Sequence, residues 1–188
     1  MKLKNICFGI VCTVALVGCT DKMDYHEYTN YGKEYVFSDF GRTAAFVNNI
    51  YSYLDYDLLG TTSLASACDE AEMALNYSNV LDYTNGNWTA LNPKSQWNYY
   101  TPIRAANYFL ENGLNLEFSD LILNQDYEAQ MKRYGRYQYE VRLLRAYYYF
   151  LLVRAYGDVP FTTKVLTEAE ANSLERTPAS QVFDFIIS

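Results

Sequence analysis

The stretch that decides the fold is residues 127–160, YEAQMKRYGRYQYEVRLLRAYYYFLLVRAYGDVP. Its apolar side chains recur at steps of three and four residues: Val141, Leu144, Tyr148, Leu151, Leu152 and Ala155. This spacing predicts one long helix over residues 127–156 that buries the face carrying them. Gly135 lies inside the pattern and lowers helix stability by about 1 kcal/mol relative to alanine, so a break there is an alternative. Gly157-Asp158-Val159-Pro160 ends the helix.

Two further segments before this helix show helical spacing. Residues 42–59 carry an apolar stripe formed by Phe46, Ile50, Tyr53 and Leu54. Leu58-Leu59-Gly60 ends this helical segment with a C-terminal glycine. Residues 95–112 form a second helix, whose shared face carries Trp97, Tyr100, Ile103, Asn107, Leu110 and Leu114.

A last helix is predicted to begin at Thr177-Pro178, because threonine suits the N-cap and proline the first helical position. Its apolar residues Val182, Phe185 and Ile186 are spaced i, i+3 and i+4. The sequence stops at Ser188 with this apolar stripe unfinished. We therefore expect the chain to be a truncated, N-terminal fragment of a longer protein.

Paired helices without a strong strand pattern predict an all-α domain. The pairing suggests tetratricopeptide-like helical hairpins, in which each hairpin needs a neighbour to bury its apolar face. No strict 34-residue repeat is visible in the sequence, so the periodicity supports such an array only weakly.

The N-terminus has the pattern of an export signal. Lys2 and Lys4 precede an apolar run of about a dozen residues, which is too short for the roughly 20 that a membrane-spanning helix needs. Leu16-Val17-Gly18-Cys19 resembles the lipobox of bacterial lipoproteins, and the alternative is an ordinary secretory peptide with a chance cysteine. We therefore expect a signal peptide over residues 1–18 and a lipid, such as palmitate, on Cys19.

The remaining chain divides into a tether and a domain. Residues 19–40 are polar, rich in tyrosine and without a clear period, which predicts a tether, and residues 41–188 form the helical domain. Removing residues 1–18, with two lysines and no acid, changes the net charge from −7 to −9. Such an acidic chain repels phosphate backbones, which excludes nucleic-acid binding. Apart from Cys19, Cys68 is then the one cysteine that remains. Its alanine-rich sequence surroundings predict that it is buried as a small hydrophobic residue.

The segment between the first two helices is irregular. Asp69–Leu75 could form a short helix, whereas residues 78–93 are turn-rich, and long loops of this kind are often functional. Trp88 lies there between Asn85 and Asn87. An indole face packs on the C–H groups of a sugar while the amides bind its hydroxyls, so Trp88, Asn85 and Asn87 are candidate glycan-binding residues. The alternative is a tryptophan that caps the helical core.

Five blocks of sequence, in order and spacing, resemble the motifs of the SusD/RagB family. They are Asp69-Glu70-Ala71, residues 97–111 (WNYYTPIRAANYFLE), residues 140–153 (EVRLLRAYYYFLLV), residues 154–161 (RAYGDVPF), and Arg176-Thr177-Pro178 with residues 182–187 (VFDFII). The resemblance implies a tetratricopeptide-like fold and a lipid-anchored protein of the Bacteroidetes outer membrane that faces the exterior. It further implies capture of glycans, or in some branches peptides, for a SusC-like TonB-dependent transporter. Asp21 and Asp24 fit an acidic surface-export signal of that phylum.

The motif residues are expected to be structural rather than catalytic: Asp69, Glu70, Trp97, Arg104, Asn107, Arg145, Tyr156, Gly157, Asp158 and Pro160. Arg104 and Arg145 lie on aromatic helices and need carboxylates or carbonyl oxygens to offset desolvation, and Asp69, Glu70 and Asp158 are the candidate carboxylate partners. The aromatic residues at helical spacing, including Trp97, Tyr100 and Tyr147–Tyr149, are expected in the core.

Catalysis is not expected, and neither is a cofactor or a metal. His26 is the only histidine and lies in the predicted tether, which disfavours a catalytic triad or a histidine-based metal site. Adjacent acids such as Asp69 and Glu70 point in different directions on a helix and do not flank a common bond. Besides glycan capture, the alternatives are peptide capture and a structural helical-repeat scaffold in the envelope.

Overall fold

The computed structural model describes residues 32–54, 64–74, 80–87, 89–91 and 95–188. Its seven α-helices are α1 (Lys33–Phe37), α2 (Phe40–Tyr51), α3 (Leu81–Thr84), α4 (Tyr100–Asn112), α5 (Tyr127–Tyr156), α6 (Glu168–Ser173) and α7 (Ala179–Ile187). Strands β1 (Val159–Pro160) and β2 (Arg176–Thr177) form an antiparallel pair. Single 3₁₀ turns lie at Leu64–Ala67, Trp97–Tyr99 and Ser119–Leu121. The predicted all-α class is confirmed, with one small sheet that the sequence did not indicate.

The long helix α5 has the bounds that its periodicity predicted. It continues through Gly135 without a break, and a Cβ built there meets no atom within 4 Å. All the predicted face residues are buried except Ala155, which is exposed. Ala155 lies in the last turn, where the helix leaves the core and the chain turns at Gly157.

Helices α4 and α5 run antiparallel. A residue later in the first segment contacts a residue earlier in α5, and a residue earlier in the first segment contacts a residue later in α5. Phe109 packs on Tyr137 with ring centroids 6.4 Å apart, and Tyr99 packs on Tyr148 at 5.8 Å. Helix α2 packs on the same long helix, where the Tyr148 hydroxyl donates a 2.6 Å hydrogen bond to the Ile50 carbonyl. A helix that contacts neighbours on two sides explains why so much of α5 is buried.

The packed domain begins before the predicted boundary at residue 41. Helix α1 lies within the predicted tether, and Phe37 is buried against Phe109 and Phe46. The tether prediction is therefore wrong for residues 33–40, because aromatic residues there fill the core. Residues 1–18 and Cys19 lie outside the described residues.

Helix α2 is shorter than the predicted 42–59. Asp39 caps its start by accepting a 2.7 Å hydrogen bond from the Arg42 amide, and the helix ends at Tyr51. Ser52 to Leu54 form a turn, and the predicted stop at Gly60 lies outside the described residues.

The predicted helix at Asp69–Leu75 is also wrong over the described residues. A 3₁₀ turn at Leu64–Ala67 precedes a turn at Asp69 and Glu70, and residues 71–74 are irregular. Cys68 is exposed rather than buried, and its thiol donates a 3.2 Å hydrogen bond to the Ala65 carbonyl. The alanines form a surface turn, which gives Cys68 no helical face to bury.

Helix α7 is capped by a distant side chain instead of Thr177. The Ala179 amide donates a 2.9 Å hydrogen bond to Asp158 Oδ1, while Thr177 pairs with Val159 in the small sheet. Val182 is fully buried, whereas Ile187 is 81% exposed. In the described part of the chain, no helix has the length and apolar character needed to cross a membrane.

Candidate functional site

A buried polar cluster joins α4, α5 and the segment after β1. Asn107, 1% exposed, accepts a 2.8 Å hydrogen bond from Arg145 Nη1 through Oδ1. Its Nδ2 group donates to the carbonyls of Thr162 (3.2 Å) and Lys164 (3.1 Å). One amide therefore satisfies three polar groups on two other segments, which buried polar atoms require.

Arg145 does not pair with the carboxylates that we expected. It is 9% exposed, and its guanidinium carbon lies 5.2 Å from the ring centroid of Phe185. Its Nε is buried without a hydrogen-bond partner among the described residues. Burial lowers the pKa of Arg145, and the neighbouring Arg142 lowers it further, whereas Tyr149 raises it. The predicted ion pair is replaced by an amide and an aromatic face, which reduce the desolvation cost less than a carboxylate does.

The three predicted acidic partners have other environments. Asp69 and Glu70 lie exposed in a turn. Asp158 caps α7 through its side chain, and its carbonyl accepts a 3.3 Å hydrogen bond from Arg176 Nη1. Asp158 therefore links the turn after α5 to the start of α7, and the arginine that contacts it is Arg176.

Arg104 is exposed and holds the segment after β1 onto α4. Its Nη1 donates a 2.8 Å hydrogen bond to the Leu166 carbonyl, and Glu111 Oε1 accepts a 2.8 Å hydrogen bond from the Val165 amide. Together with Asn107, these side chains hold residues 162–166 along the helix. Arg104 and Asn107 thus each donate to backbone carbonyls of this segment.

Two phenols, the buried Tyr149 and the half-buried Tyr100, hold the start of the same segment. The Tyr149 hydroxyl donates to the Thr162 carbonyl (2.7 Å) and accepts from the Thr162 amide (2.9 Å), and the Tyr100 hydroxyl donates to the Pro160 carbonyl. Burial raises the pKa of Tyr149 to about 12 and that of Tyr100 well above its ordinary value. Both groups therefore stay neutral donors at physiological pH.

Trp97 lies at the edge of the core rather than inside it. It is 37% exposed and stacks on Tyr156, with ring centroids 3.9 Å apart and planes 7° apart. The Tyr156 hydroxyl accepts a 2.5 Å hydrogen bond from the Gln96 amide. The helical spacing did not reveal this exposure, because Trp97 belongs to a 3₁₀ turn and not to α4.

A separate polar pocket of about 400 Å³ lies where the irregular segment meets α3. Asn85 lines it together with Ser66, Asp69 and Glu72. Asn87 is exposed on the same loop, and Trp88 lies outside the described residues. The structure thus brings one predicted glycan-binding residue beside two carboxylates. Asp69 and Glu72 were not predicted as ligand contacts, because they are 13 or more residues from Asn85 in the sequence and no periodic pattern connects them.

The side chains that line this pocket can form hydrogen bonds with a ligand. An amide donates and accepts, a carboxylate accepts, and a hydroxyl does both, which matches a polyhydroxylated ligand. Over the described ranges, no three histidine, cysteine or acidic side chains are grouped so that they could hold a metal ion.

The chain matches known proteins in two comparisons. The profile of the SusD-like family, described as "Starch-binding associating with outer membrane", matches residues 24–188. A solved SusD-like protein from Bacteroides fragilis NCTC 9343 is 24% identical, with a TM-score of 0.55, over 81% of this chain and 28% of that chain. This chain thus spans 28% of the length of that protein. No curated protein sequence matches it.

The two comparisons agree with the observed architecture. The structural similarity concerns the fold, and the profile covers the whole described domain from α1 to α7. Because the family profile matches far more than half of the chain, and the five motif blocks lie within the matched region, the chain belongs to the SusD-like (SusD/RagB) family.

Proposed function

We propose that this chain belongs to a surface lipoprotein that captures glycans and delivers them to a SusC-like TonB-dependent transporter in the outer membrane. The observation that carries the proposal is the family match over residues 24–188, since that family is described as starch-binding and as associating with the outer membrane. The protein binds its ligand without converting it.

The pocket at Asn85 is our candidate for the glycan contact. Asn85, Asp69 and Glu72 supply donors and acceptors for hydroxyl groups within one open cavity of about 400 Å³. In the sequence, Trp88 follows Asn85 by three residues, and an indole has the flat apolar face on which a sugar ring packs; Asn87, exposed on the same loop, carries a second amide. This combination supports a saccharide more than an apolar ligand.

The binding test uses the full chain and a panel of soluble starch, maltooligosaccharides, other plant and host polysaccharides, and mixed peptides. We expect saturable binding of one glycan class, reduced at least about tenfold in Trp88→Ala, which corresponds to about 1.4 kcal/mol. Asn85→Ala should weaken the same binding. Trp97→Phe is the matched control, because it changes the chain's other tryptophan at a site held by stacking on Tyr156.

Each alternative has its own outcome in this test. Saturable binding of a peptide and of no polysaccharide would support the peptide-capturing branch of the family. Binding of no ligand, together with no copurifying TonB-dependent barrel, would replace capture by a structural scaffold in the envelope. Reducing ends released from a polysaccharide by the purified protein would show hydrolysis and contradict a binding role.

We propose in addition that Cys19 carries the lipid that holds the protein at the outer membrane. The basis is the spelling Leu16-Val17-Gly18-Cys19 after a short apolar run. Cys19→Ala should move the protein from the membrane fraction to the soluble fraction without loss of helical signal in circular dichroism. Cys68→Ala, which removes an exposed thiol in the domain, should stay in the membrane fraction. A Cys19→Ala protein that remained there would exclude this anchor.

A further inference from the structure

A second cavity, separate from the polar pocket, lies between α4 and the segment that follows β1. Its volume is about 280 Å³, near the lower limit of the roughly 300–1,000 Å³ typical of small-molecule sites. Its aliphatic lining residues are Ile103, Pro160, Leu166, Ala171 and Leu174. Tyr100, Asn107 and Thr162 line it as well, but their polar groups already form hydrogen bonds within the chain. The hydrogen bonds from Asn107, Arg104 and Glu111 hold the covering segment in place, so the cavity is formed before any ligand enters.

The charged side chains that line this cavity are both basic. Arg104 and Lys164 contribute to its lining, and no acidic side chain does so among the described residues. Arg104 is exposed and uses Nη1 for the Leu166 carbonyl, which is the one hydrogen bond that the described residues give it. Lys164 also lies near Glu170, and the carboxylate of Glu170 accepts hydrogen bonds from the Thr167 amide and hydroxyl. Arg104 therefore offers a cation with free donors beside an apolar cavity.

The lining excludes a sugar and favours an amphipathic anion. The hydroxyls of a saccharide would face aliphatic walls with few partners, which is costly for buried polar groups. An aliphatic or aromatic body fits those walls, and a guanidinium binds a carboxylate through charge-assisted hydrogen bonds. We propose that this cavity binds a small carboxylic acid with an apolar body, whose carboxylate is held by Arg104.

The test is a calorimetric or NMR titration of the full chain with hexanoate and, as a matched neutral probe, hexanamide. We expect saturable hexanoate binding at millimolar concentration, with hexanamide at least about tenfold weaker because it cannot form the charge-assisted hydrogen bonds. In Arg104→Gln, the affinity for hexanoate should fall to that for hexanamide. Arg136→Gln, which removes an exposed arginine of α5 that does not line the cavity, should bind like the wild type.

A second variant locates the binding site. Ala171→Leu projects a larger side chain from α6 towards the cavity and should abolish the binding of both probes, while circular dichroism shows an unchanged helical signal. The proposal is overturned if hexanoate shows no saturable binding, if hexanamide binds equally well, or if Ala171→Leu leaves hexanoate binding unchanged.

Discussion

Asn107 on α4 accepts a 2.8 Å hydrogen bond from Arg145 on α5, and the two residues are 38 positions apart in the sequence. The same amide donates to two carbonyls of the segment after β1. Two helices and a loop are thus joined at one side chain. Asn107 is 1% exposed and Arg145 is 9% exposed, so losing the hydrogen bond between them leaves a buried guanidinium donor without that partner.

Replacing Asn107 with alanine should therefore destabilise the domain strongly. The change leaves a buried guanidinium donor of Arg145 unpaired and removes one hydrogen bond from each of the Thr162 and Lys164 carbonyls, so we expect the free energy of unfolding to fall by about 3 kcal/mol. Urea denaturation followed by circular dichroism measures this loss. Asn112→Ala is the control, because Asn112 makes one hydrogen bond, to the Tyr108 carbonyl four residues earlier, and should cost less than about 1 kcal/mol. Equal losses in the two variants would contradict a central role for Asn107.

Asp158 should stabilise α7 from outside that helix. Its Oδ1 accepts from the Ala179 amide, so Asp158→Ala removes a helix cap and should cost about 1 kcal/mol in urea denaturation. Asp158→Asn keeps an acceptor oxygen and should lower the free energy of unfolding by only a few tenths of a kcal/mol. Asp184→Ala removes an exposed acid within α7 as a control for charge. If Asp158→Ala unfolded at the wild-type midpoint, the cap would contribute nothing measurable.

Two glycines should respond to alanine with opposite signs. Gly157 has φ +70° and ψ −114°, a conformation that other residues rarely adopt, so Gly157→Ala should destabilise by about 1–3 kcal/mol. Gly135 lies inside α5, and a Cβ there meets no atom within 4 Å. Gly135→Ala should therefore stabilise by about 0.5–1 kcal/mol, and each variant serves as the control for the other in thermal denaturation. If Gly157→Ala stabilised the domain, the positive φ at residue 157 would not require glycine.

The domain should lose stability at alkaline pH as buried tyrosines ionise. Burial raises the pKa of Tyr149 to about 12 in the folded chain, whereas an unperturbed tyrosine titrates near 10. Between these values the unfolded chain has lost the proton that the folded chain retains. The stabilisation is thus complete below about pH 10 and is lost as the pH rises towards 12.

The free energy of unfolding, measured by urea denaturation from pH 8 to 11.5, should fall accordingly, by about 2 kcal/mol at pH 11.5 for Tyr149. Tyr149→Phe should start from a lower stability, since two hydrogen bonds are lost, but should decline less steeply with pH. Tyr139→Phe, at a tyrosine that is 64% exposed, is the matched control. A wild-type slope in Tyr149→Phe would mean that other groups cause the alkaline loss.

The central helix could be predicted from local sequence, but the contacts of the candidate site could not. Residues 127–156 have a helical period, and the structure gives that helix the same bounds. Asp69 and Glu70, in contrast, lie in a turn and not in the predicted helix. Likewise, the sequence around Arg145 does not indicate whether its guanidinium will contact a carboxylate or an amide.

The sequence by itself determined the helical class, the long central helix and the family, because periodicity and motif order are carried by residues close along the chain. Only the tertiary structure decided that Asn107 faces Arg145, that Asp158 caps α7, and that Asn85 lies beside Asp69 and Glu72. It also decided that an aliphatic cavity forms beside Arg104. The physical reason is that these contacts join segments far apart in sequence. Which residues meet depends on how the helices pack against each other, and no local sequence pattern predicts that packing.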